Sequence, residues 1–199
     1  MIEKYLKQLK SLSDPEAVAG MARFGINPDN TLGVSIPAIR KMAKEIGKNH
    51  ALAQEFWSSG IHEARILAGM VEDPGEVTAE QMERWAADFD SWDVCDQVCS
   101  NLFDKTRFAY EKAHEWSGRE EEFVRRAGFV LMAVLSVHDK KAGDEIFLEF
   151  LPLIKNGAFF SKDDISSRLS ILTCPFHKLI PACPRGPIRP DKPEIAYEI

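Results

Sequence analysis

The chain has 199 residues, of which 45% are hydrophobic and 28% are charged, and its formal net charge is −6. This length and composition predict a folded globular protein with one sizeable core, and they exclude a disordered or fibrous chain. The acidic balance argues against a protein that coats nucleic acid by nonspecific phosphate neutralisation, although a local basic stripe remains compatible with it.

The N-terminal segment predicts neither export nor membrane insertion. MIEKYLKQLKSL alternates charged and apolar residues, so it lacks the uninterrupted apolar stretch of a secretory signal. No 18-residue stretch of the chain is free of charge, as a membrane-spanning helix would require. We therefore expect a cytoplasmic protein that makes no contact with a membrane.

Helical periodicity extends from the start of the chain to about residue 157, and strand-like alternation is rare, which predicts an all-α fold. Asp14 is placed to N-cap a helix that begins at Pro15. A second start signal at Ser35 opens an amphipathic run that Gly47 is placed to close. The further predicted helices, in chain order, span residues 50–58, 61–72, 78–88, 92–103, 107–116, 120–137 and 143–155.

The turns between these helices are short, which predicts that neighbouring helices are antiparallel. Helix pairs recur roughly every 35–45 residues, a spacing typical of an α-α superhelix, a HEAT-like helical repeat solenoid. We expect at least eight helices before residue 158 and no sheet. The segment FVRRAGFVLMAVLSV is apolar on nearly every side, which predicts a helix flanked by neighbours.

The sequence changes character after residue 157. Six of the eleven prolines lie in the last 25 residues, and proline removes a helix donor and clashes with the preceding turn. We therefore predict a helical-repeat domain over residues 1–157 and an irregular proline-rich tail over residues 158–199. Such an abrupt loss of helical pattern is also what a frameshift or a truncation would produce, and the domain would then lack its closing repeat.

The four cysteines and five histidines form no recognisable metal-binding pattern. Cys95 and Cys99 are four residues apart in one predicted helix, a spacing that suits core packing as well as ligation. His62 and Glu63 lack the second histidine of a zinc-protease helix. We expect buried free thiols, no metal and no cofactor.

The most informative segment for chemistry is FDSWDVCDQVCSNLF, residues 89–103. Ser91 is placed to N-cap a helix that begins at Trp92, which puts Trp92 and Asp96 on one face at the electropositive helix end. The pair offers a carboxylate and an aromatic plane side by side. The structural alternative is that Trp92 packs in the core and that Asp96 is a solvated or capping acid.

Two groups of basic residues could supply a local positive stripe. The first consists of Arg40, Lys41, Lys44 and Lys48, and the second of Arg125, Arg126, Lys140 and Lys141. In the alternative interpretation the lysines only solvate helix faces. The two arginines would then form salt bridges within the stack to acids such as Glu120 to Glu122.

Five segments together resemble the DNA alkylation repair family, the HEAT-like-repeat DNA glycosylases. They are, in order, MARFGI (21–26), GVSIPAIRKMAKEIG (33–47), HEARILAGMV (62–71), SWDVCD (91–96) and FVRRAGFVLMA (123–133). The similarity covers residues 1 to about 157. It implies a curved solenoid whose concave, basic face binds duplex DNA, and an activity that excises N3- or N7-alkylated purines.

The resemblance also implies roles for individual residues. By motif, the family's catalytic aspartate falls on Asp96, its DNA-facing tryptophan on Trp92, and its phosphate-binding arginine on Arg126 rather than Arg125. A cationic alkylated purine leaves without a general acid, so one carboxylate is sufficient to stabilise the positively charged sugar. No lysine adjoins Asp96, so we expect a monofunctional glycosylase, a hydrolase without lyase activity. We also expect a monomer. The further expected DNA contacts are Arg40, Lys41 and Lys44.

The sequence departs from the family pattern in two places. Phe123 stands where the family often has tryptophan. No tryptophan follows Trp116, whereas family members continue into further helices with another DNA-facing tryptophan. Helical solenoids most often serve binding, so the alternative function is a noncatalytic helical-repeat module that binds DNA or protein, in which Trp92 and Asp96 are structural or vestigial.

Overall fold

The computed structural model describes residues 2–159, and within this range the chain forms eleven α-helices, one 3-10 turn (Phe103–Lys105) and no strand. The α-helices are α1 (Ile2–Ser11), α2 (Pro15–Ala22), α3 (Ile36–Ile46), α4 (His50–Ser58), α5 (His62–Val71), α6 (Ala79–Ala87), α7 (Trp92–Asn101), α8 (Ala109–Ser117), α9 (Glu122–His138), α10 (Asp144–Leu148) and α11 (Phe150–Phe159). The all-α prediction is confirmed for this range. None of these helices has the length and apolarity to cross a membrane. The predicted tail, apart from its first two residues, lies outside the described range, so its separation from the domain stays a prediction.

Local signals in the sequence set several helix boundaries. Asp14 N-caps α2, because its carboxylate accepts hydrogen bonds from the backbone N–H groups of Glu16 and Ala17. Pro15 occupies the first helical position, where no intrahelical donor is needed. Gly47 ends α3 with a φ of 73°, a left-handed conformation that glycine adopts without strain. The predicted start of α2 and end of α3 are therefore confirmed.

The single helix predicted over 143–155 is wrong, because the chain forms two helices there, α10 and α11, with Glu149 between them. Pro152 explains the interruption. In a continuous helix its ring would clash with the carbonyl of Leu148, and it has no N–H to donate. Since α11 begins at Phe150, Pro152 falls instead in a first turn, where no intrahelical donor is required.

The helices pack in two layers. The first layer consists of α3, α5, α7 and α9, which contact one another in series, and the second of α4, α6 and α8. The helix α9 contacts α6, α7 and α8, which confirms that FVRRAGFVLMAVLSV is flanked by neighbours. Gly128 allows α9 to approach α8 closely, because a Cβ at this position would overlap the backbone of Ser117.

An aromatic row runs through the second layer. Trp57 of α4 and Trp85 of α6 stack with ring centroids 4.0 Å apart and planes 3° from parallel. Phe103 contacts both Trp85 and Trp116 of α8, with centroid distances of 6.5 and 5.8 Å. Burying a large apolar side chain contributes roughly 1.5–3 kcal/mol, so this row is a major source of the stability that holds the layers in place.

The first-layer helices run in the same direction. At one edge, Nε2 of His62 at the start of α5 lies 2.9 Å from Oδ2 of Asp93 near the start of α7. At the opposite edge, His138 at the end of α9 contacts Asp104, which follows the end of α7. We call these the N-terminal edge and the C-terminal edge of the first layer.

The two cysteines of α7 are part of the core. Cys95 and Cys99 are fully buried and free, as predicted. Burial, together with the neighbouring Cys95, raises the pKa of the Cys99 thiol, so it stays protonated at neutral pH. These thiols therefore serve packing. Cys174 and Cys183 lie outside the described residues.

Candidate functional site

Three of the predicted site residues meet at the N-terminal edge. Trp92 begins α7, Asp96 follows one turn later, and Arg126 lies in the second turn of α9. The Arg126 guanidinium donates two hydrogen bonds to Asp96, from Nε to Oδ1 at 2.8 Å and from Nη2 to Oδ2 at 2.7 Å. Its Cζ lies 5.7 Å from the centre of the Trp92 ring, within cation–π range. We call these three residues the edge cluster.

The Asp96–Arg126 pair of the edge cluster is only partly accessible to solvent, with 24% of the Asp96 side chain and 18% of the Arg126 side chain exposed. Burial by itself lowers the pKa of Arg126, but the hydrogen bonds and charge of Asp96 outweigh it and raise that pKa. A doubly bonded guanidinium–carboxylate contact is strong and directional. Asp96 is therefore held in one orientation, with part of its charge offset.

The salt bridge considered as an alternative for Arg126 exists, but its acid is Asp96 of α7 rather than one of Glu120 to Glu122. The two partners are 30 residues apart in the sequence, so spacing along one helix does not reveal the contact. Trp92 and Asp96 are each half-buried, which corresponds neither to a core tryptophan nor to a fully solvated acid.

Arg125 has different surroundings from Arg126. Its Nη1 donates to the backbone carbonyls of Arg119 and Glu120, at 3.0 and 3.1 Å, in the turn before α9. The side chain thus holds the connection between α8 and α9. Of the two neighbouring arginines, the structure brings Arg126 to Asp96 and directs Arg125 to the backbone.

The segment between α2 and α3, residues 24–34, borders the edge cluster. The Trp92 indole N–H donates to the carbonyl of Phe24 at 3.1 Å. Ser91 stands at the N-cap position of α7, but its hydroxyl accepts a hydrogen bond from the backbone N–H of Asn27 at 2.9 Å and makes no cap. The predicted capping by Ser91 is therefore wrong, because a tertiary contact takes the hydroxyl that a local cap would use.

Glu63 holds the other end of this segment. Its buried carboxylate accepts hydrogen bonds from the backbone N–H groups of Leu32, Gly33 and Val34, at distances between 2.6 and 3.2 Å. Charge-assisted bonds to backbone donors are stronger than neutral ones. Glu63 thereby secures the segment that positions the Trp92 ring.

Phe24 is a candidate contact residue that sequence reasoning did not single out. Its side chain is 71% exposed, although its carbonyl is bonded to Trp92. An exposed phenylalanine beside a polar cluster offers a flat apolar surface to a ligand. The motif MARFGI contains this residue, but no local pattern distinguishes an exposed ring from a buried one.

Arg40, Lys41 and Lys44 are exposed on α3. The helix α5 lies between α3 and α7, so these three side chains are one helix away from the edge cluster and are not part of it. Their role as ligand contacts stays a prediction.

The edge cluster combines three chemical capacities. A carboxylate can stabilise developing positive charge, a guanidinium can bind a phosphate through two hydrogen bonds, and an aromatic ring can pack against a sugar or a base. Within residues 2–159, no group of three or more His, Cys, Asp or Glu side chains is arranged to hold a metal ion. The cluster therefore suits a polyanion that carries a local positive charge.

Comparisons with known proteins give a family and a fold for this chain. Residues 5–165 match the family model of DNA alkylation repair enzymes. An uncharacterized protein of Listeria innocua is 25% identical over 127 residues, which cover 61% of this chain and 56% of that protein. The matched region thus spans little more than half of the relative's length.

A solved structure has a similar fold. It belongs to a new family of proteins related to the HEAT-like repeat DNA glycosylases, with affinity for branched DNA structures. The TM-score is 0.77 at 20% identity, and the match covers 88% of this chain and 75% of that chain. The prediction of a HEAT-like helical repeat fold is confirmed.

Proposed function

This chain belongs to the DNA alkylation repair enzyme family, and we propose that it excises N3- or N7-alkylated purines from duplex DNA by hydrolysing the N-glycosidic bond. The observation that carries this proposal is the edge cluster, in which a half-buried carboxylate lies beside a guanidinium and an indole ring. The proposed partner is duplex DNA, and the proposed acting species is a monomer in the cytoplasm.

The proposed reaction needs one carboxylate. Cleavage moves the electron pair of the C1′–N bond onto the cationic purine, which leaves as a neutral base, and positive charge develops on the sugar. Asp96 stabilises this charge in a partly desolvated site. Water then adds to C1′ and releases a proton. Because the alkylated base is already cationic, no side chain has to protonate it.

Arg126 has two possible acceptors in this reaction. In the free protein it offsets part of the Asp96 charge through two hydrogen bonds. A DNA phosphate that flanks the lesion competes for the same guanidinium. Its approach weakens the pair with Asp96 and increases the negative charge that faces the sugar. Phosphate binding and activation of the carboxylate are then coupled through one side chain.

The remaining contacts position the DNA. Trp92, fixed by its hydrogen bond to the Phe24 carbonyl, presents its ring to the deoxyribose. The exposed Phe24 ring adds a second aromatic surface beside it. The phosphate contacts proposed on α3 are Arg40, Lys41 and Lys44.

A second candidate function is noncatalytic DNA binding, and the Asp96–Arg126 pair itself favours it. A guanidinium that stays on the carboxylate when DNA binds would leave too little charge to stabilise the sugar. A protein family with a similar structure has affinity for branched DNA structures, which supports this alternative. The chain would then recognise the DNA backbone through its exposed basic side chains without cleaving a bond.

The substitution Asp96→Asn tests the proposal, because it keeps the shape of the side chain and removes its charge. We expect release of 7-methylguanine or 3-methyladenine from methylated DNA to fall by about 10²-fold or more, a loss of roughly 3 kcal/mol of transition-state stabilisation. The measurement is single-turnover excision with excess protein. The unfolding free energy is measured in parallel, because the substitution also weakens the pair with Arg126.

Asp93 is unsuitable as a control, since its carboxylate contacts the buried His62. Asp144, an exposed acid in the first turn of α10, provides the matched control Asp144→Asn, and we expect it to excise at the rate of the parent. Equal excision by Asp96→Asn and the parent would refute the catalytic role. DNA binding by a parent that releases no base would support the noncatalytic alternative.

A further inference from the structure

The C-terminal edge of the first layer carries two lysines at helix ends. Lys48 Nζ donates to the backbone carbonyls of Met70 and Glu72, at 3.1 and 2.7 Å, at the end of α5. Lys105 Nζ donates to the carbonyl of Ser100 at 2.8 Å, at the end of α7. Cations are favoured at these ends because the helix dipoles place negative potential there.

The charged side chains of this edge differ in exposure, and although the acid Glu76 is 60% exposed, two other acids are buried. The carboxylates of Glu72 and Asp104 are 0% and 1% exposed. The side chains above them are accessible, with Lys105 47% and His138 48% exposed and Lys48 also exposed. The buried Asp104 carboxylate contacts Lys105 and His138, whereas Lys48 is held by helix-end carbonyls, so two ammonium groups are exposed at this edge although the chain is acidic overall.

The two lysines are close enough to repel each other. Burial lowers the pKa of Lys48, the charge of Lys105 lowers it further, and the carboxylates of Asp73 and Glu72 act in the opposite direction. A bound anion near both ammonium groups would relieve this repulsion. Each ammonium has three protons, so contacts to helix-end carbonyls leave capacity for a further acceptor.

The distance from Asp96 to the C-terminal edge is compatible with the dimensions of duplex DNA. Asp96 is the fifth of the ten residues of α7, so about 8 Å of helix separates it from the end of α7, and the major groove of B-DNA is about 12 Å wide. A duplex that brings one strand to Asp96 at the N-terminal edge therefore brings its other strand close to the C-terminal edge.

We propose that Lys48 and Lys105 bind phosphates of the DNA strand opposite the strand that faces Asp96, while each keeps its contact to a helix-end carbonyl. This inference rests on the proposed function in that it takes duplex DNA as the ligand. It adds a second phosphate-binding row, at the opposite ends of the same helices. The affinity supplied by this row is independent of any chemistry at Asp96.

The double substitution Lys48→Gln/Lys105→Gln tests the row. Binding of a fluorescent DNA duplex is measured by anisotropy at a series of salt concentrations. We expect the slope of log affinity against log salt to become shallower by about two, close to one for each lost phosphate contact. Lys7→Gln, an exposed lysine of α1, is the matched control and should leave the slope unchanged. The Lys48→Arg/Lys105→Arg variant keeps both charges and should restore it.

The strand assignment is tested with duplexes that carry 2′-fluorinated 7-methylguanine, whose glycosidic bond resists cleavage. Neutral methylphosphonates replace the phosphates of one strand at a time. Neutralising the strand opposite the lesion should weaken binding by the parent and have much less effect on the double glutamine variant. Two outcomes would overturn the inference. One is a salt dependence of affinity that is unchanged in the double glutamine variant. The other is an equal loss of affinity by parent and variant when the opposite strand is neutralised.

The excision assay with Asp96→Asn provides a separate readout. A parent that releases no base but shows the expected lysine-dependent slope would contradict the glycosylase proposal and support the phosphate row. A parent that excises through Asp96 with a slope independent of Lys48 and Lys105 would support the glycosylase proposal and refute the row.

Discussion

The two edges of the first layer contain the same kinds of charged groups in opposite arrangements. At the N-terminal edge, Asp96 and Arg126 are exposed to similar extents, 24% and 18%, and offset each other. At the C-terminal edge, Asp104 is 1% exposed beneath Lys105, which is 47% exposed. Which partner of an ion pair is buried therefore decides which charge the pair presents to solvent, and a chain with a net charge of −6 can still expose ammonium groups at one edge.

Some of these charged groups also stabilise the helices. Lys48 and Lys105 lie at helix C-termini, where a cation complements the macrodipole whether or not DNA is bound. A contribution to the fold and a contribution to binding must therefore be separated by measurement. Substitutions at the two edges separate the two contributions, because they are expected to change the unfolding free energy and the DNA affinity in different proportions.

The largest expected effect is on stability, from Glu72→Gln at the C-terminal edge. The Glu72 carboxylate accepts hydrogen bonds from His50, Gln54 and Gln81 at 2.8–2.9 Å, and it is fully buried. Loss of its charge should destabilise the fold by about 2–3 kcal/mol and lower Tm by roughly 5–10 °C. Calorimetry measures the change. Glu76→Gln, at a 60% exposed position, is the control and should leave Tm nearly unchanged; equal Tm values for both variants would show that burial does not distinguish the acids.

A smaller effect on stability is expected from Arg126→Gln at the N-terminal edge. Because the pair is partly exposed, its loss should cost about 1–2 kcal/mol in unfolding free energy. If Arg126 also binds a phosphate, DNA affinity should fall with a salt slope shallower by about one. A double-mutant cycle with Asp96→Asn isolates the coupling of the two side chains. A loss of stability with an unchanged salt slope would assign Arg126 to the fold alone; Arg119→Gln, at a 36% exposed arginine, is the control.

The smallest effect is expected from Phe24→Ala. The ring is 71% exposed, so the unfolding free energy should change by less than about 0.5 kcal/mol. If the ring packs against DNA, affinity for duplex DNA should fall by roughly fivefold, equivalent to about 1 kcal/mol. Leu12→Ala, at a 45% exposed position after α1, removes a similar exposed apolar side chain elsewhere. Parallel losses of affinity in both variants would indicate a nonspecific effect.

Short-range features of this protein could be predicted from its sequence. The helical period, the N-cap at Asp14 and the helix end at Gly47 all depend on residues within about one turn of each other. Their four-residue spacing was likewise sufficient to predict that Trp92 and Asp96 share one face of α7. The interruption before Pro152 is also local, but the single helix predicted over residues 143–155 missed it.

Only the tertiary structure decided which partners these residues have. Asp96 meets Arg126 from 30 residues away, the Ser91 hydroxyl is taken by Asn27, and Phe24 is left exposed. Each outcome depends on which helices become neighbours and on what their packing buries, and the period of a single helix contains neither kind of information. For the same reason the charge of the two edges follows from burial across the layer, whereas the sequence determined only that acids and bases were available.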